Sequence, residues 1–136
     1  MIFIDTSFLI ALEFESDEMH NTAKRIFAEV VSKKYGEAFI SDYVFDETIT
    51  FAFAVNRDLA RATRLGESLK SSFKILPIKE RTFNDAWSIF KNQRQEGLSF
   101  TDCTNISVMN EYGVRNIAVF DSDFKSIDGI NVLQNS

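Results

Sequence analysis

Four carboxylates, Asp5, Glu47, Asp102 and Asp121, occupy positions where the local sequence makes a charge either costly or useful. Asp5 closes the apolar run Met-Ile-Phe-Ile and precedes Thr6 and Ser7, so it either caps a short helix or stands at a strand end facing a ligand. At about 100° per residue, Glu47 shares a helical face with Tyr43, Val44, Phe51 and Ala54. A carboxylate inside such a stripe costs on the order of several kcal/mol unless compensated, either by a buried Arg or Lys or by a functional partner. The neighbouring Asp46 points about 100° away, toward solvent. Ser99-Phe100-Thr101-Asp102 has the form of a capping box, which would give Asp102 a structural place in the first turn of a helix. Asp121 and Asp123 follow an apolar run, where an Asx-type turn is the simplest reading. Each signal alone is weak, and the set is more telling than its members.

Two carboxylates about 4 Å apart repel by roughly 4 kcal/mol at an effective dielectric near 20. Several together would need protonation or a bridging cation. With one histidine (His20) and one cysteine (Cys103) in the chain, an all-oxygen donor set favours Mg²⁺ or Mn²⁺ over Zn²⁺. The chemistry suited to such a site is phosphoryl transfer or phosphodiester hydrolysis, in which the metal polarises the phosphate and activates a water.

For these acids to meet, the chain must supply the right elements. Residues 1–4 read as a buried strand, 7–12 as a short helix and 18–34 as a longer one. Residues 38–41 form the next strand, and Ser41 and Asp42 cap a helix through about residue 55. A helix over 58–73, a strand over 74–78 placed at a sheet edge by Pro77, and a helix over 81–95 follow. The last helix runs from about Thr101 to Gly113, before strands at 116–120 and 130–133. Alternation of this kind predicts a single α/β domain over residues 1–136, with a mostly parallel five-stranded sheet flanked by helices. Ligands bind beyond the carboxyl ends of the strands in such sheets, and the strands at 2–4 and 117–120 run into Asp5 and Asp121. Asp5, Asp102, Asp121 and Glu47 can therefore converge at one edge.

Composition narrows the classes. Of 136 residues 45% are apolar, including 14 Phe, which excludes intrinsic disorder. No apolar run approaches the roughly 20 residues of a membrane span, and the acid-bearing first residues do not read as a signal peptide, so a cytoplasmic protein is expected. A lone cysteine excludes an internal disulfide framework. The net charge of −5 argues against nonspecific nucleic-acid adhesion but not against a local patch. Phe8, Phe39, Phe73, Trp87 and Phe90 read as core, Cys103 as a small buried residue and His20 as a surface one.

Asp5-Thr6-Ser7, Glu47, Ser99-Phe100-Thr101-Asp102 and Phe120-Asp121-Ser122-Asp123-Phe124, in this order and over nearly the whole chain, resemble the PIN-domain ribonucleases, most closely the VapC-type toxins of toxin–antitoxin pairs. The resemblance implies the five-stranded sheet and Mg²⁺- or Mn²⁺-dependent cleavage of single-stranded RNA, leaving 5′-phosphate and 3′-hydroxyl ends. Asp5, Glu47, Asp102 and Asp121 match the family's acidic quartet, with Asp5, Asp102 and Asp121 as metal ligands and Glu47 as a ligand or orienter of the nucleophile. Thr6 or Ser7 and Thr101 match its hydroxyl positions, and Asp123 an auxiliary acid. Val119 departs from the pattern, which often has Thr two residues before the last acid.

The expected substrate is tRNA, rRNA or mRNA. Arg57, Arg61 and Arg64, at i, i+4 and i+7, form either a basic stripe for its backbone or a solvated surface. The aromatic-rich helix around 43–55 is apolar on nearly every face, which suits an interface: a homodimer and a cognate antitoxin are the expected protein partners. Three competing readings remain: a PIN nuclease of RNA processing or decay that is not a toxin, a non-catalytic PIN-like interaction domain, and an acid-rich phosphatase of the haloacid dehalogenase type. The phosphatase needs a second acid where this chain has Ser7.

Overall fold

The computed structural model describes residues 1–133. Five short strands, β1 (Ile2–Ile4), β2 (Ala38–Ser41), β3 (Lys74–Leu76), β4 (Asn116–Ala118) and β5 (Asn131–Leu133), form one sheet in the order β3-β2-β1-β4-β5. Every pairing is parallel. Central strands of a parallel sheet are covered on both faces, so they consist of continuous apolar residues rather than alternating ones. Ile2, Phe3 and Ile4 are accordingly fully buried. Pro77 directly follows β3, the edge strand, as its missing donor requires.

Helices α1 (Thr6–Glu13) and α2 (His20–Val31) join β1 to β2, while α3 (Asp42–Asn56) and α4 (Leu59–Ser72) join β2 to β3. Helices α5 (Glu80–Lys91) and α6 (Phe100–Tyr112) join β3 to β4, and a 3₁₀ turn at Ser122–Ser126 leads into β5. Ser41 caps α3 by accepting a hydrogen bond from the Val44 N–H at 3.1 Å, and Asp58 caps α4 by accepting one from the Arg61 N–H at 3.0 Å. Helix α6 stops at Gly113, whose φ of 69° suits a residue without Cβ. The strand order turns back between β1 and β4. This is the switch point at which open α/β sheets take up ligands.

Phe8, Phe39, Phe73 and Cys103 are buried as expected. Trp87 is not: it is 51% exposed, and Phe90, stacked on it at 5.7 Å between ring centroids, is only half-buried. Helix α5 buries Thr82 and Ala86 against α6, while Phe83, Trp87 and Phe90 meet Phe100 in the first turn of α6. His20 is half-buried rather than superficial, and its Nδ1–H donates to the Ala11 carbonyl at 2.8 Å, tying α2 to α1. The expected strand to Phe120 ends at Ala118, so Asp121 sits past a short bend instead of at the strand end. Helices α2 and α5 stop short of the expected ends at 34 and 95, and β3 short of 78.

Candidate active site

Asp5 follows β1 directly and caps α1. Its Oδ2 accepts from the Ser7 N–H at 2.9 Å and from the Ser7 hydroxyl at 2.7 Å. Its Oδ1 accepts from Asn105 Nδ2, on α6, at 2.7 Å. The carboxyl is 5% exposed. Burial pushes its pKa above the ordinary value, the bonds from Ser7 oppose that shift, and the charge of Glu47 adds to it. The Ser7 hydroxyl also accepts from the Phe120 N–H at 3.0 Å, so one side chain orients Asp5 and anchors the bend that carries Asp121. Of the two candidate hydroxyls, it is the Ser7 one that touches Asp5. The Thr6 hydroxyl is instead buried without a partner.

Asp102 completes a capping box: its N–H donates to Ser99 Oγ at 3.1 Å, and its Oδ2 accepts from the Ser99 N–H at 2.9 Å. The structural reading of this motif is therefore correct, and it leaves the second carboxylate oxygen available. Its pKa is pushed up to about 6, first by partial burial, with the charges of Asp5 and Asp121 adding to the rise. Asp121 caps the 3₁₀ turn by accepting from the Asp123 N–H at 2.9 Å. The Asp121 charge in turn raises the Asp123 carboxyl. The Asp123 carboxylate lies against Gly97 in the α5–α6 connection: a Cβ there would stand 2.5 Å from its Oδ1. A side chain there would make the carboxylate give way.

Glu47 does share a face with Tyr43, Phe51 and Ala54, but that face is open to solvent, and among the described residues no buried Arg or Lys accompanies it. The buried face of α3 is Val44, Thr48 and Ala52, one residue round the helix, and Glu47 is exposed. It faces an open cavity of about 410 Å³ shared with Tyr43, Thr50, Phe51 and the half-buried Thr101. Its charge nonetheless reaches Asp5. A larger polar cleft of about 720 Å³ between α5 and α6, lined by Arg81, Asp85, Asn110 and Glu111, contains none of these acids.

Asn105 had escaped the sequence reading. It is fully buried, and while its Nδ2 serves Asp5, its Oδ1 has no partner. The only signal was its place one turn after Asp102 on the same helix face. Among the described residues the buried side-chain oxygens without a partner are Thr6 Oγ1, Thr48 Oγ1 and Asn105 Oδ1. Each neighbours or contacts Asp5 or Glu47. An unpaired buried polar group costs roughly 1–3 kcal/mol, so their concentration here marks a place where stability is not the only constraint.

Among the described residues, no three of the Asp, Glu, His and Cys side chains stand close enough to ligate one ion as placed. Asp5, Asp102 and Asp121 each keep one oxygen in a local cap. The donor types nevertheless fit a hard cation: they are carboxylates and an amide oxygen, and Mg²⁺ usually keeps several of its waters rather than taking every ligand from the protein.

The arginine stripe does not form. Asp58 starts a new helix, so Arg57 is the left-handed cap of α3 (φ 53°), with its guanidinium 5.3 Å from the Phe53 ring centroid. Arg61 pairs with Glu13 at 3.2 Å and lies over the Phe14 ring, which leaves Arg64 alone on the exposed side of α4. Between α3 and α4 runs an apolar groove of about 600 Å³, lined by Phe45, Ile49, Phe53, Leu59 and Ala62 and rimmed by Lys70.

The PIN domain family profile matches residues 2–130. The 23S rRNA-specific endonuclease VapC20 of Mycobacterium tuberculosis is 32% identical, over 97% of this chain and 98% of that protein. The crystal structure of that VapC20, described as a sarcin–ricin loop cleaving toxin, superposes with a TM-score of 0.85 over 98% of this chain and 99% of the other, at 28% identity. VapBC2 of Rickettsia felis bound to a promoter DNA fragment (TM-score 0.70, 13% identity, 98% of each chain) shares the fold. So does FitAcB of Neisseria gonorrhoeae (TM-score 0.67, 18% identity, 98% of this chain and 97% of that one). The chain belongs to the PIN-domain family and groups with its VapC-type members.

Proposed function

We propose that this protein is a divalent-cation-dependent endoribonuclease of the toxin type, with Asp5, Glu47, Asp102 and Asp121 as its catalytic acids. One observation carries the reading: Asp5 is bonded through Asn105 to α6, whose first turn holds Asp102, and through Ser7 to Phe120, the residue before Asp121. Such a cluster gains most from a cation. Asp5, Asp102 and Asp121 are the residues to hold it, directly or through water, and oxygen donors of this kind suit Mg²⁺ or Mn²⁺. When bound, the ion polarises the scissile phosphate and makes an attacking water more acidic. Glu47, exposed and without an ion-pair partner among the described residues, is the acid free to orient that water or accept its proton. Ser7 keeps Asp5 and the Asp121 bend in register, Thr101 lines the substrate side, and Asp123 props the bend against Gly97.

The substrate class is RNA, with rRNA first, since the VapC20 relative is named for 23S rRNA. An antitoxin and a second copy of the chain are the proposed protein partners. Phe51, Val55 and Leu59 leave 47%, 53% and 69% of their surfaces exposed toward the α3–α4 end, apolar side chains that a partner surface would cover. No helix of the described residues is long and apolar enough to cross a membrane, and we place the protein in the cytoplasm, as one domain over 1–136. Residues 134–136 of that span lie outside the described residues.

The test is cleavage of a mixed tRNA and rRNA pool in Mn²⁺, Mg²⁺ or EDTA, with Asp102→Asn as control. Metal-dependent cuts that vanish in the variant support the nuclease and its site. The second reading is a non-catalytic interaction domain. A chain that neither cuts nor gains melting temperature with Mn²⁺ would establish that reading instead.

A further inference from the structure

We infer that Asn105 is a positioning residue of the acidic site: its amide fixes the Asp5 carboxylate against α6, and its unpaired carbonyl oxygen is held as an acceptor for an O–H donor in the water shell of the bound cation. The inference deepens the proposed function and rests on it.

The geometry is two-sided. Asp5 Oδ2 is held locally by Ser7, two residues away, and Oδ1 is held by Asn105, 100 positions along the chain. The first contact sets the carboxylate relative to β1 and α1; the second sets it relative to α6, which also carries Asp102 one turn earlier. The separation of the two acids is thereby tied to one hydrogen bond. With the Nδ2 donating to Asp5, the Oδ1 of the same amide faces away from that carboxylate. That Oδ1 is fully buried and lacks any protein partner among the described residues. Were Asn105 only a packing residue, a leucine of nearly the same shape would fill the space without leaving an acceptor unmet. Ser107 and Thr104, also buried on α6, differ from it: both hydroxyls donate to backbone carbonyls, of Thr82 at 2.9 Å and Thr101 at 2.6 Å.

The experiment compares wild type with Asn105→Leu and Asn105→Ser in three readouts: Mn²⁺ affinity without RNA, metal-free melting temperature, and kcat against KM for an RNA substrate. The leucine variant should lower the metal-free melting temperature, because the buried Asp5 Oδ1 loses its donor, and should also bind Mn²⁺ roughly 10- to 100-fold more weakly and lose kcat with KM unchanged. The serine variant, whose hydroxyl both donates and accepts, should recover part of the Mn²⁺ affinity. Unchanged Mn²⁺ affinity and kcat in both variants would overturn the inference while wild-type cleavage left the nuclease standing. So would a fall in melting temperature alone, and so would a leucine variant that fails to fold beside a folded serine variant with wild-type affinity. A wild type that neither binds Mn²⁺ nor cuts RNA would overturn the nuclease reading itself, and the inference with it.

Discussion

The cleft around Asp5 buries polar groups that water would solvate better, whereas the groove between α3 and α4 leaves in water apolar groups that a core would bury. In the cleft, Asp5 and Asp102 are raised carboxyls, and Asn105, Thr6 and Thr48 carry buried oxygens without partners. In the groove, Phe45, Ile49 and Phe53 line a trough that opens onto the exposed Leu59. Helix α3 borders both, with Glu47 facing one and Phe53 the other. Each region departs from the arrangement that would make the isolated chain most stable, and in opposite senses. The cleft is short of positive charge and donors, which a hydrated cation supplies; the groove is short of apolar surface, which a protein supplies. The comparison predicts that changes in the cleft should separate activity from stability, and changes in the groove should separate association from stability.

The sharpest way to break this contrast is Asp5→Asn. Cleavage should disappear while the metal-free melting temperature holds or rises, because a buried carboxylate with a raised pKa is removed and the oxygen that caps α1 is kept. A clear fall in metal-free stability would make Asp5 a cap and nothing more. Next in size is Gly97→Ala, whose Cβ would meet the Asp123 carboxylate at 2.5 Å. The carboxylate must swing aside to admit the methyl, with little cost in stability, and its movement should displace the Asp121 bend enough to lower cleavage, measured by denaturant melts beside initial rates.

The pH dependence sharpens the contrast further. The Asp102 carboxyl titrates near 6 in the fold against an ordinary value of 3.8, so the folded chain holds this proton more tightly than the unfolded one. Its contribution is most favourable below about 4 and is lost as pH rises toward 6, the window in which the folded state binds more protons than the unfolded state. Metal-free wild type should therefore lose melting temperature relative to Asp102→Asn between those values. Mn²⁺, which needs the ionised form, should bind more tightly across the same window and reverse the loss. A flat difference between the two melting curves would remove Asp102 from the field of Asp5 and Asp121. The smallest stability effect belongs to the groove: Leu59→Lys, at a position 69% exposed, should change stability by no more than about 0.5 kcal/mol. It should nonetheless shift the oligomeric state measured by light scattering, and an unchanged state would place the copy-to-copy contact elsewhere.

Much of this was legible in the residues. Apolar runs of strand length ending near aspartates, with helical periods between them, specify a parallel sheet whose carboxyl ends carry acids, and the caps at Ser41, Ser99 and Gly113 lie where their side chains require. The misreadings share one cause. A helical period shows which residues share a face but not which face is covered. Glu47 was therefore placed among buried neighbours when the covered face of α3 is centred on Val44, Thr48 and Ala52. Trp87 was read as core although α5 packs through Thr82 and Ala86. The arginine stripe assumed one helix where the left-handed Arg57 divides two.

The sequence by itself determined the element order and the family and pointed to the candidate acids, because these depend on residues near one another in the chain: strand-length apolar runs, caps and the acids that follow them. Only the tertiary structure decided which acids feel one another, that Ser7 ties Asp5 to the Phe120 bend, and that Asn105 reaches Asp5 from 100 positions away. Those contacts exist because the sheet order brings β1 beside β4 and lays α6 against both ends of the chain's chemistry. Local propensity carries no information about a hydrogen bond closed by folding across that distance.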